Sequence, residues 1–223
     1  GFASRLIEKD YFCTVLLQHL AVAVGGLVFK GGTCLAKVHA GFYRLSQDLD
    51  FAIPMPIGAT RAARSRRAAG LKETVARIDR QVPVFRVVTA LTGASNSTQY
   101  NATLGYASLL GQEQETIRIE VSLREPLLEP SVQGEARTLL LDPLSGSPLA
   151  QVLTVACISR DEALAEKLRA ALSRREVAIR DFYDIDHAVR RIGLRPEASR
   201  LVELVRKKLA VAGNEPVDVS AAR

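Results

Sequence analysis

Two short segments constrain the fold of this chain most, because each predicts a strand beside chemically active residues. The first, Phe29-Lys30-Gly31-Gly32-Thr33, predicts a strand, a break at the double glycine and a helix capped by Thr33. The second is Asp48-Leu49-Asp50, with fourteen residues between it and Thr33. It alternates polar and apolar side chains, as a half-buried strand does, until Pro54 ends it. We therefore expect a sheet that contains both strands.

The double glycine suits the close approach of a phosphate group. Glycine has no side chain to block the phosphate, and the N–H groups at the start of the next helix can bind an anion. The segment is neither a P-loop, whose Gly-x-x-x-x-Gly-Lys spacing is absent, nor a Rossmann fingerprint. A plain turn with a helix cap would use the same residues, so the segment alone is a weak signal of phosphate binding.

The paired aspartates strengthen that signal. On a strand, Asp48 and Asp50 project from the same face, and two like charges repel each other unless a cation lies between them. Carboxylate oxygens suit Mg²⁺, although a solvated strand edge is the alternative interpretation. A phosphate-binding segment followed by paired carboxylates is what nucleotidyl transfer needs, because metal ions activate the attacking oxygen and stabilise the leaving pyrophosphate. Glu120, between apolar residues on a predicted strand, is the candidate third ligand, with a solvated edge-strand position as its alternative.

The remaining pattern predicts a mixed structure followed by helices. Three further strands are expected, at 84–92, 99–106 and 115–123. Helical patterns cover six segments: 4–22, 33–40, 60–80, 160–175, 180–192 and 197–211. Pro143, Gly146 and Pro148 mark a turn region before the last three helices. We therefore expect two domains, residues 1–148 and residues 149–223.

The predicted helical domain carries a second group of charged candidates. Lys167 shares a helix face with apolar residues, so its ammonium group either contacts a phosphate or extends outward to solvent. Asp181 and Asp184 share one face of the next helix, where acids in the first turn also suit the helix dipole. The residues expected to form the buried face of that helix are Phe182, Ile185 and Val189.

The charge balance permits an anionic partner without requiring one. Lysine and arginine number 30 against 24 aspartate and glutamate residues, which gives a formal net charge of +6. Four arginines lie in one short run at 61–67. Such a balance favours nucleic acid or polyphosphate partners, and it is also found in ordinary basic enzymes.

The cysteines and histidines give no pattern of their own. The three cysteines are far apart with no Cys-x-x-Cys pair, and the three histidines are isolated. The sequence therefore predicts neither a zinc site nor a disulfide framework, and a reducing cytoplasm is the simplest location. The longest apolar run, from Leu20 to Phe29, is too short for a membrane span, and we see no signal peptide.

Together these segments resemble a known family. The chain is similar, over roughly residues 5–190, to the AbiEii/AbiGii-type nucleotidyltransferase toxins of bacterial toxin–antitoxin and phage-abortive systems. The matching segments, in the family's order, are 7–11, 28–33, 44–51, 166–170 and, after Arg174, 180–184. The resemblance implies an α+β fold: a DNA-polymerase-β-like nucleotidyltransferase core with a mixed sheet, followed by a small C-terminal helical domain.

The resemblance also implies roles for individual residues. Asp48 and Asp50 would hold the metal ions and act in catalysis, with Glu120 as a further ligand where many relatives have aspartate. Lys167 would contact phosphates, and Asp181 or Asp184 would be the essential acid of the helical domain. The residues implied to bind the nucleotide are Lys30, Gly31, Gly32, Thr33, Arg44 and Ser46.

The implied reaction is a transfer from a nucleoside triphosphate (NTP), dependent on Mg²⁺ or Mn²⁺. In mycobacterial members the acceptor is the 3′ end of tRNA, so the resemblance implies blocked translation, a cognate antitoxin and a cytoplasmic location without membrane contact. Two alternatives use the same core. One is a transferase that modifies a protein or a small molecule, and the other is a catalytically silent module that binds RNA or a partner.

Overall fold

A computed structural model describes residues 1–111, 113–174 and 176–211 of the chain. Within these residues lie seven strands: β1 (Val28–Lys30), β2 (Leu49–Ala52), β3 (Phe85–Ala94), β4 (Gln99–Ala107), β5 (Gln114–Ser122), β6 (Val132–Ala136) and β7 (Leu153–Cys157). The α-helices of the same residues are α1 (Ser4–Ala23), α2 (Gly31–Cys34), α3 (Arg61–Arg67), α4 (Ala69–Ala76), α5 (Ile78–Gln81), α6 (Arg160–Ser173), α7 (Ile179–His187) and α8 (Ser199–Leu209).

The strands form one mixed sheet in the order β3-β4-β5-β2-β1-β7-β6. Strand β2 pairs antiparallel with β1 and parallel with β5, and β7 pairs parallel with β1. This mixed sheet, together with the helices after it, confirms the predicted α+β class. Strands β1 and β2 are hydrogen-bonded neighbours near the centre of the sheet. The double-glycine segment and the paired aspartates therefore lie side by side.

Three local predictions were incomplete or wrong. The sequence predicts no strand at β6 or β7, yet both belong to the sheet. The single helix expected at 60–80 is three short helices, α3 to α5. The helix expected at 33–40 is the short α2, which continues as a π-helical turn over Leu35–His39.

Helix α1 is fixed to the sheet by both apolar and charged contacts. The ring of Phe12 lies 4.2 Å from the ring of Tyr106, between centroids. The Lys37 ammonium pairs with the Asp10 carboxylate at 2.6 Å, and both side chains are buried. Lys37 also donates to Thr14 Oγ1, so the buried charge is compensated. The pair ties α1 to the turn that follows α2, close in sequence to the double glycine.

The described residues divide into two compact units. Unit 1 comprises Gly1–Leu127 and Ser131–Cys157, and unit 2 comprises Leu128–Pro130 with the described residues from Ile158 onward. The predicted boundary after residue 148 stays a prediction, and residues 212–223 of that predicted domain lie outside the described part. No helix in the described part of the chain is long and apolar enough to cross a bilayer.

Unit 2 consists of helices α6, α7 and α8. Ser159 caps α6 by accepting a hydrogen bond from the backbone N–H of Glu162. The Glu162 carboxylate, fully buried, pairs with Lys208 of α8 at 2.7 Å and accepts from the N–H groups of Leu128 and Glu129. An apolar cluster that includes Ala165 and residues of α8 completes the packing of the unit.

Candidate active site

Strand register brings the predicted metal ligands of unit 1 together. Asp50 on β2 lies beside Glu120 on the parallel strand β5, and on its other side it is the register partner of Lys30 on β1. Side chains of directly paired residues project from the same face of a sheet. The Asp50 and Glu120 carboxylates therefore lie on one face at the centre of the sheet, with the Lys30 side chain next to them.

An arginine links the outer carboxylates of this group. Nη2 of Arg118 lies 2.9 Å from Glu120 Oε1 and 3.5 Å from Asp48 Oδ2. The Asp48 and Glu120 side chains are 35% and 31% exposed, so water reaches both. We name the three carboxylates Asp48, Asp50 and Glu120 the carboxylate cluster. Nη2 of Arg118 contacts two of these three carboxylates, so a positive charge is favoured at its position.

Gly31 allows Asp50 to lie where it does. Gly31 has φ of +75°, in the left-handed region that glycine adopts readily. A Cβ atom added at Gly31 would collide with Oδ2 of Asp50 and would lie 2.7 Å from its Cγ. The Asp50 carboxylate therefore lies directly against the glycine backbone, which joins the glycine segment and the carboxylate cluster into one site.

The neighbouring residues of both segments also meet at this site. A Cβ atom added at Gly32 would lie 2.8 Å from Arg44 Nη2 and 3.2 Å from Ser46 Oγ, so these side chains lie over the glycine. Thr33 is buried, and its hydroxyl donates to the carbonyl of Asp48. The Thr33 side chain therefore fixes the backbone at the start of β2.

The chemistry of this site is that of a cation-binding and phosphate-binding centre. The three carboxylates of the cluster are all half-buried. They provide the oxygen ligands that hard divalent cations prefer. Arg44 supplies a guanidinium beside the backbone of Gly32, an arrangement that suits a phosphate oxygen. Sequence reasoning assigned no role to Arg118, although strict alternation along β5 would have placed it on the same face as Glu120.

Unit 2 contains a second charged group, which we name the buried cluster: Lys167, Arg174, Asp181 and Asp184. Nζ of Lys167 lies 3.2 Å from Asp181 Oδ1 and 3.0 Å from Asp184 Oδ2. Nη1 of Arg174 lies 3.0 Å from Asp181 Oδ2. Both carboxylates are at most 1% exposed and Lys167 is 14% exposed. The Lys167 side chain therefore does not extend outward to solvent.

The predicted orientation of α7 was wrong. The sequence favoured burial of Phe182, Ile185 and Val189, because these residues are apolar. In the structure α7 buries Asp181 and Asp184, while Phe182 and Val189 are 49% and 41% exposed. The burial of the acids is possible because two cations from the same unit neutralise them.

A family assignment follows from the sequence as a whole. Residues 16–222 match the profile of the family described as nucleotidyl transferase AbiEii toxin, Type IV TA system. The chain belongs to this family. As a member of the AbiEii family, the chain is a nucleotidyltransferase and a toxin of a type IV toxin–antitoxin system. The sequence matches none of the curated proteins.

Two solved structures share the fold of this chain. The nucleotidyltransferase toxin MenT4 of Mycobacterium tuberculosis H37Rv is 23% identical, with a TM-score of 0.61 over 94% of this chain and 70% of the toxin. JHP933 of Helicobacter pylori is 15% identical, with a TM-score of 0.59 over 93% of this chain and 75% of that protein. These similarities confirm the predicted fold.

Proposed function

We propose that this AbiEii-family enzyme transfers a nucleotide from an NTP to the 3′ end of tRNA in a Mg²⁺-dependent reaction. The observation that carries the proposal is the alignment of Asp50 with Glu120 on adjacent parallel strands, with Asp50 against the backbone of Gly31. That alignment supports the proposal, because it puts carboxylate oxygens beside a glycine segment that a phosphate could approach. Addition of nucleotides to the tRNA 3′ end would block aminoacylation and therefore translation.

The carboxylate cluster fits a divalent cation. Its donors are all carboxylate oxygens, and the contacts of Arg118 with Asp48 and Glu120 show that a positive group is already accommodated there. Asp48, Asp50 and Glu120 would hold Mg²⁺, with Mn²⁺ as a substitute. When bound, the metal would polarise the α-phosphate and lower the pKa of the attacking hydroxyl. Asp50, the central carboxylate, would orient that hydroxyl for in-line attack.

The residues around the glycine segment would bind the triphosphate. The backbone of Gly31 and Gly32 would approach the phosphate oxygens, with Arg44 and Ser46 over Gly32 as side-chain donors. Lys30, in register with Asp50, would add positive charge at the same face. We assign Thr33 a positioning role, because its hydroxyl donates to the Asp48 carbonyl.

The buried cluster would supply the second set of residues needed for catalysis. The two cations are its partly exposed members, with Lys167 14% and Arg174 42% exposed. The Lys167 ammonium group would contact phosphate oxygens of the NTP. Asp181 and Asp184 would hold the ammonium group in place through their contacts at 3.2 Å and 3.0 Å. The essential acid of the helical domain would act through Lys167.

The basic run on α3 is the proposed contact for the RNA backbone. Arg64 is buried and donates to the carbonyl of Asn96, whereas Arg61, Arg66 and Arg67 are exposed. Exposed arginines at one helix would attract the phosphates of tRNA. A cognate antitoxin, implied by the type IV family, would restrain the enzyme in the cell.

The test is incubation of the purified full chain with total tRNA, Mg²⁺ and one α-³²P-labelled NTP at a time, followed by a denaturing gel. The expected result is labelled tRNA with one or two of the four nucleotides, and none with Asp50→Asn. Asp79→Asn, an exposed acid on α5, is the matched control and is expected to label normally. Labelling of a protein or a small molecule with unlabelled tRNA would replace the proposed acceptor. Equal tRNA binding with and without Mg²⁺, and no labelling of any acceptor, would favour the silent binding module.

A further inference from the structure

We propose that Cys34, His39 and Cys157 form a binding site for a zinc-class divalent cation in unit 1, separate from the carboxylate cluster. One ligand atom from each residue can be chosen so that all three lie within 4.8 Å of one another. The two cysteines are buried and His39 is half-buried. Two thiol sulfurs and an imidazole nitrogen are a donor set that selects zinc-class ions over Mg²⁺.

The fold joins residues that are far apart in the sequence. Cys34 ends α2, and His39 ends the π-helical turn that follows it. Cys157 is the last residue of β7, where it pairs with Phe29 of β1 and with Val132 of β6. The pairing of β7 with β1 therefore brings the third ligand to the start of the turn. The sequence shows no zinc-ligand spacing, because residues 40–156 lie between His39 and Cys157.

The separation of the three ligand atoms suits a tetrahedral ion. Bonds of about 2.3 Å to sulfur and about 2.0–2.1 Å to nitrogen put tetrahedral ligands roughly 3.5–3.8 Å apart. An upper limit of 4.8 Å between the atoms requires them to close by about 1 Å at most for this geometry. Side-chain rotation of His39, at the half-buried end of the turn, can supply such a shift.

An open cleft gives an ion access to this group. The cleft has a volume of about 630 Å³, and His39 and Gly134 line it. A Cβ atom added at Gly134 would collide with the Val38 side chain and would lie 2.8 Å from the sulfur of Cys157. The Cys157 sulfur therefore lies close to the Gly134 backbone, which lines the cleft. Water in the cleft would provide the fourth ligand of a three-residue site.

The pKa of one of the two thiols in this group is lowered. The pKa of Cys157 is lowered to about 5, because the Cys34 thiol donates a hydrogen bond to its sulfur and His39 adds a further favourable interaction, against the effect of burial. The thiolate is the form of cysteine that binds metal. Cys13, the remaining cysteine, has its pKa raised to about 12 by burial and lies outside this group.

The test is a metal titration of the reduced full chain after the reductant has been removed. Co²⁺ is added first. Zn²⁺ is then added in competition with a chromophoric chelator, which measures its affinity. We expect one thiolate-bound ion per chain, seen as a near-ultraviolet thiolate-to-cobalt absorption band that Zn²⁺ then removes. His39→Gln, Cys34→Ser and Cys157→Ser should each weaken Zn²⁺ binding by about 100-fold or more, since loss even of a residue behind a ligand costs 10–100-fold.

Three controls make the outcome decisive. Cys13→Ser and His19→Gln should bind Zn²⁺ as the wild type does, because neither residue belongs to the group. Asp50→Asn should keep the thiolate-to-cobalt band, so the result does not depend on the proposed reaction. His39→Gln changes a half-buried side chain, and circular dichroism will show whether this variant is folded. Absence of the band, or its presence in Cys157→Ser, would overturn the proposal, as would a Cys34–Cys157 disulfide found by mass spectrometry in place of bound metal.

Discussion

The two charged groups of this molecule solve opposite electrostatic problems. The carboxylate cluster of unit 1 keeps acids about one-third exposed, and Arg118 contacts two of them through one nitrogen. The buried cluster of unit 2 removes two acids from water and pairs them with Lys167 and Arg174. Acids that keep contact with water can exchange one cation for another, whereas buried acids need their partners permanently. We therefore expect substitutions in the first cluster to affect the reaction and those in the second to affect stability as well.

The largest effect is expected for Asp50→Asn. Loss of the central carboxylate should reduce nucleotide transfer by about 10³-fold or more, because metal stabilisation of the transition state amounts to several kcal/mol. The free energy of unfolding should change little, since the site is open to water. Rates from single-turnover labelling, together with urea denaturation, measure both quantities. A variant that loses stability and activity in parallel would break the distinction between the two clusters.

The counterpart in unit 2 is Asp184→Ala. Removal of one acid from a buried ion-pair group costs about 3–5 kcal/mol. The two cations Lys167 and Arg174 would then share Asp181 alone, so one positive charge would be uncompensated. Urea denaturation should show this loss, and Asp186→Ala, an exposed acid on the same helix, should show almost none. The partly restored stability of Lys167→Met/Asp184→Leu would confirm that unpaired charge is the cause. A loss below 1 kcal/mol for Asp184→Ala would contradict our description of the buried cluster.

Gly31→Ala tests the contact between the glycine segment and the carboxylate cluster. The new Cβ would collide with Asp50 and would add strain of about 1–2 kcal/mol at positive φ. Gly146 is the matched control, because it also has positive φ but has nothing within 4 Å of an added Cβ. Gly146→Ala should lose stability without losing activity. Equal effects of the two substitutions on activity would mean that the position of Asp50 against Gly31 is unimportant.

A smaller effect is expected for Arg118→Ala. Removal of a cation that contacts Asp48 and Glu120 should increase the affinity of the cluster for Mg²⁺, so half-maximal transfer should need a few-fold less metal. Arg86→Ala, at an exposed position of the edge strand β3, serves as the control. A Mg²⁺ titration of the initial rate measures the shift. An increased Mg²⁺ requirement would instead show that Arg118 supports metal binding.

The smallest effect is expected when exposed arginines of α3 are replaced, and it should appear in the affinity for tRNA. The double variant Arg61→Ala/Arg66→Ala should lower the slope of log binding constant against log salt concentration by about 1–2, because each lost phosphate contact lowers it by about 1. Asp50→Asn and Asp184→Asn should keep the slope of the wild type. Filter binding at several salt concentrations separates these cases. An unchanged slope for the arginine variant would place the tRNA contact elsewhere.

Local pattern predicted much of this site, and long-range pairing accounts for what it missed. Alternation and glycine chemistry were enough to predict β1, β2 and the acids at Asp48 and Asp50, because these features depend on neighbours in sequence. Strand β7 is short and follows a proline-rich turn, and only its pairing with β1 makes it part of the sheet. The orientation of α7 was misjudged because apolar residues suggested the buried face, whereas ion pairs across to α6 decide it.

The most direct test of the central claim is whether the carboxylate cluster binds a divalent cation. Electron paramagnetic resonance of free Mn²⁺, titrated with the full chain and an NTP, measures the bound ion. We predict that wild type and Asp79→Asn remove the free Mn²⁺ signal beyond what the NTP alone removes. Asp50→Asn and Glu120→Gln should not. Mn²⁺ binding by Asp50→Asn equal to that of the wild type would contradict the account.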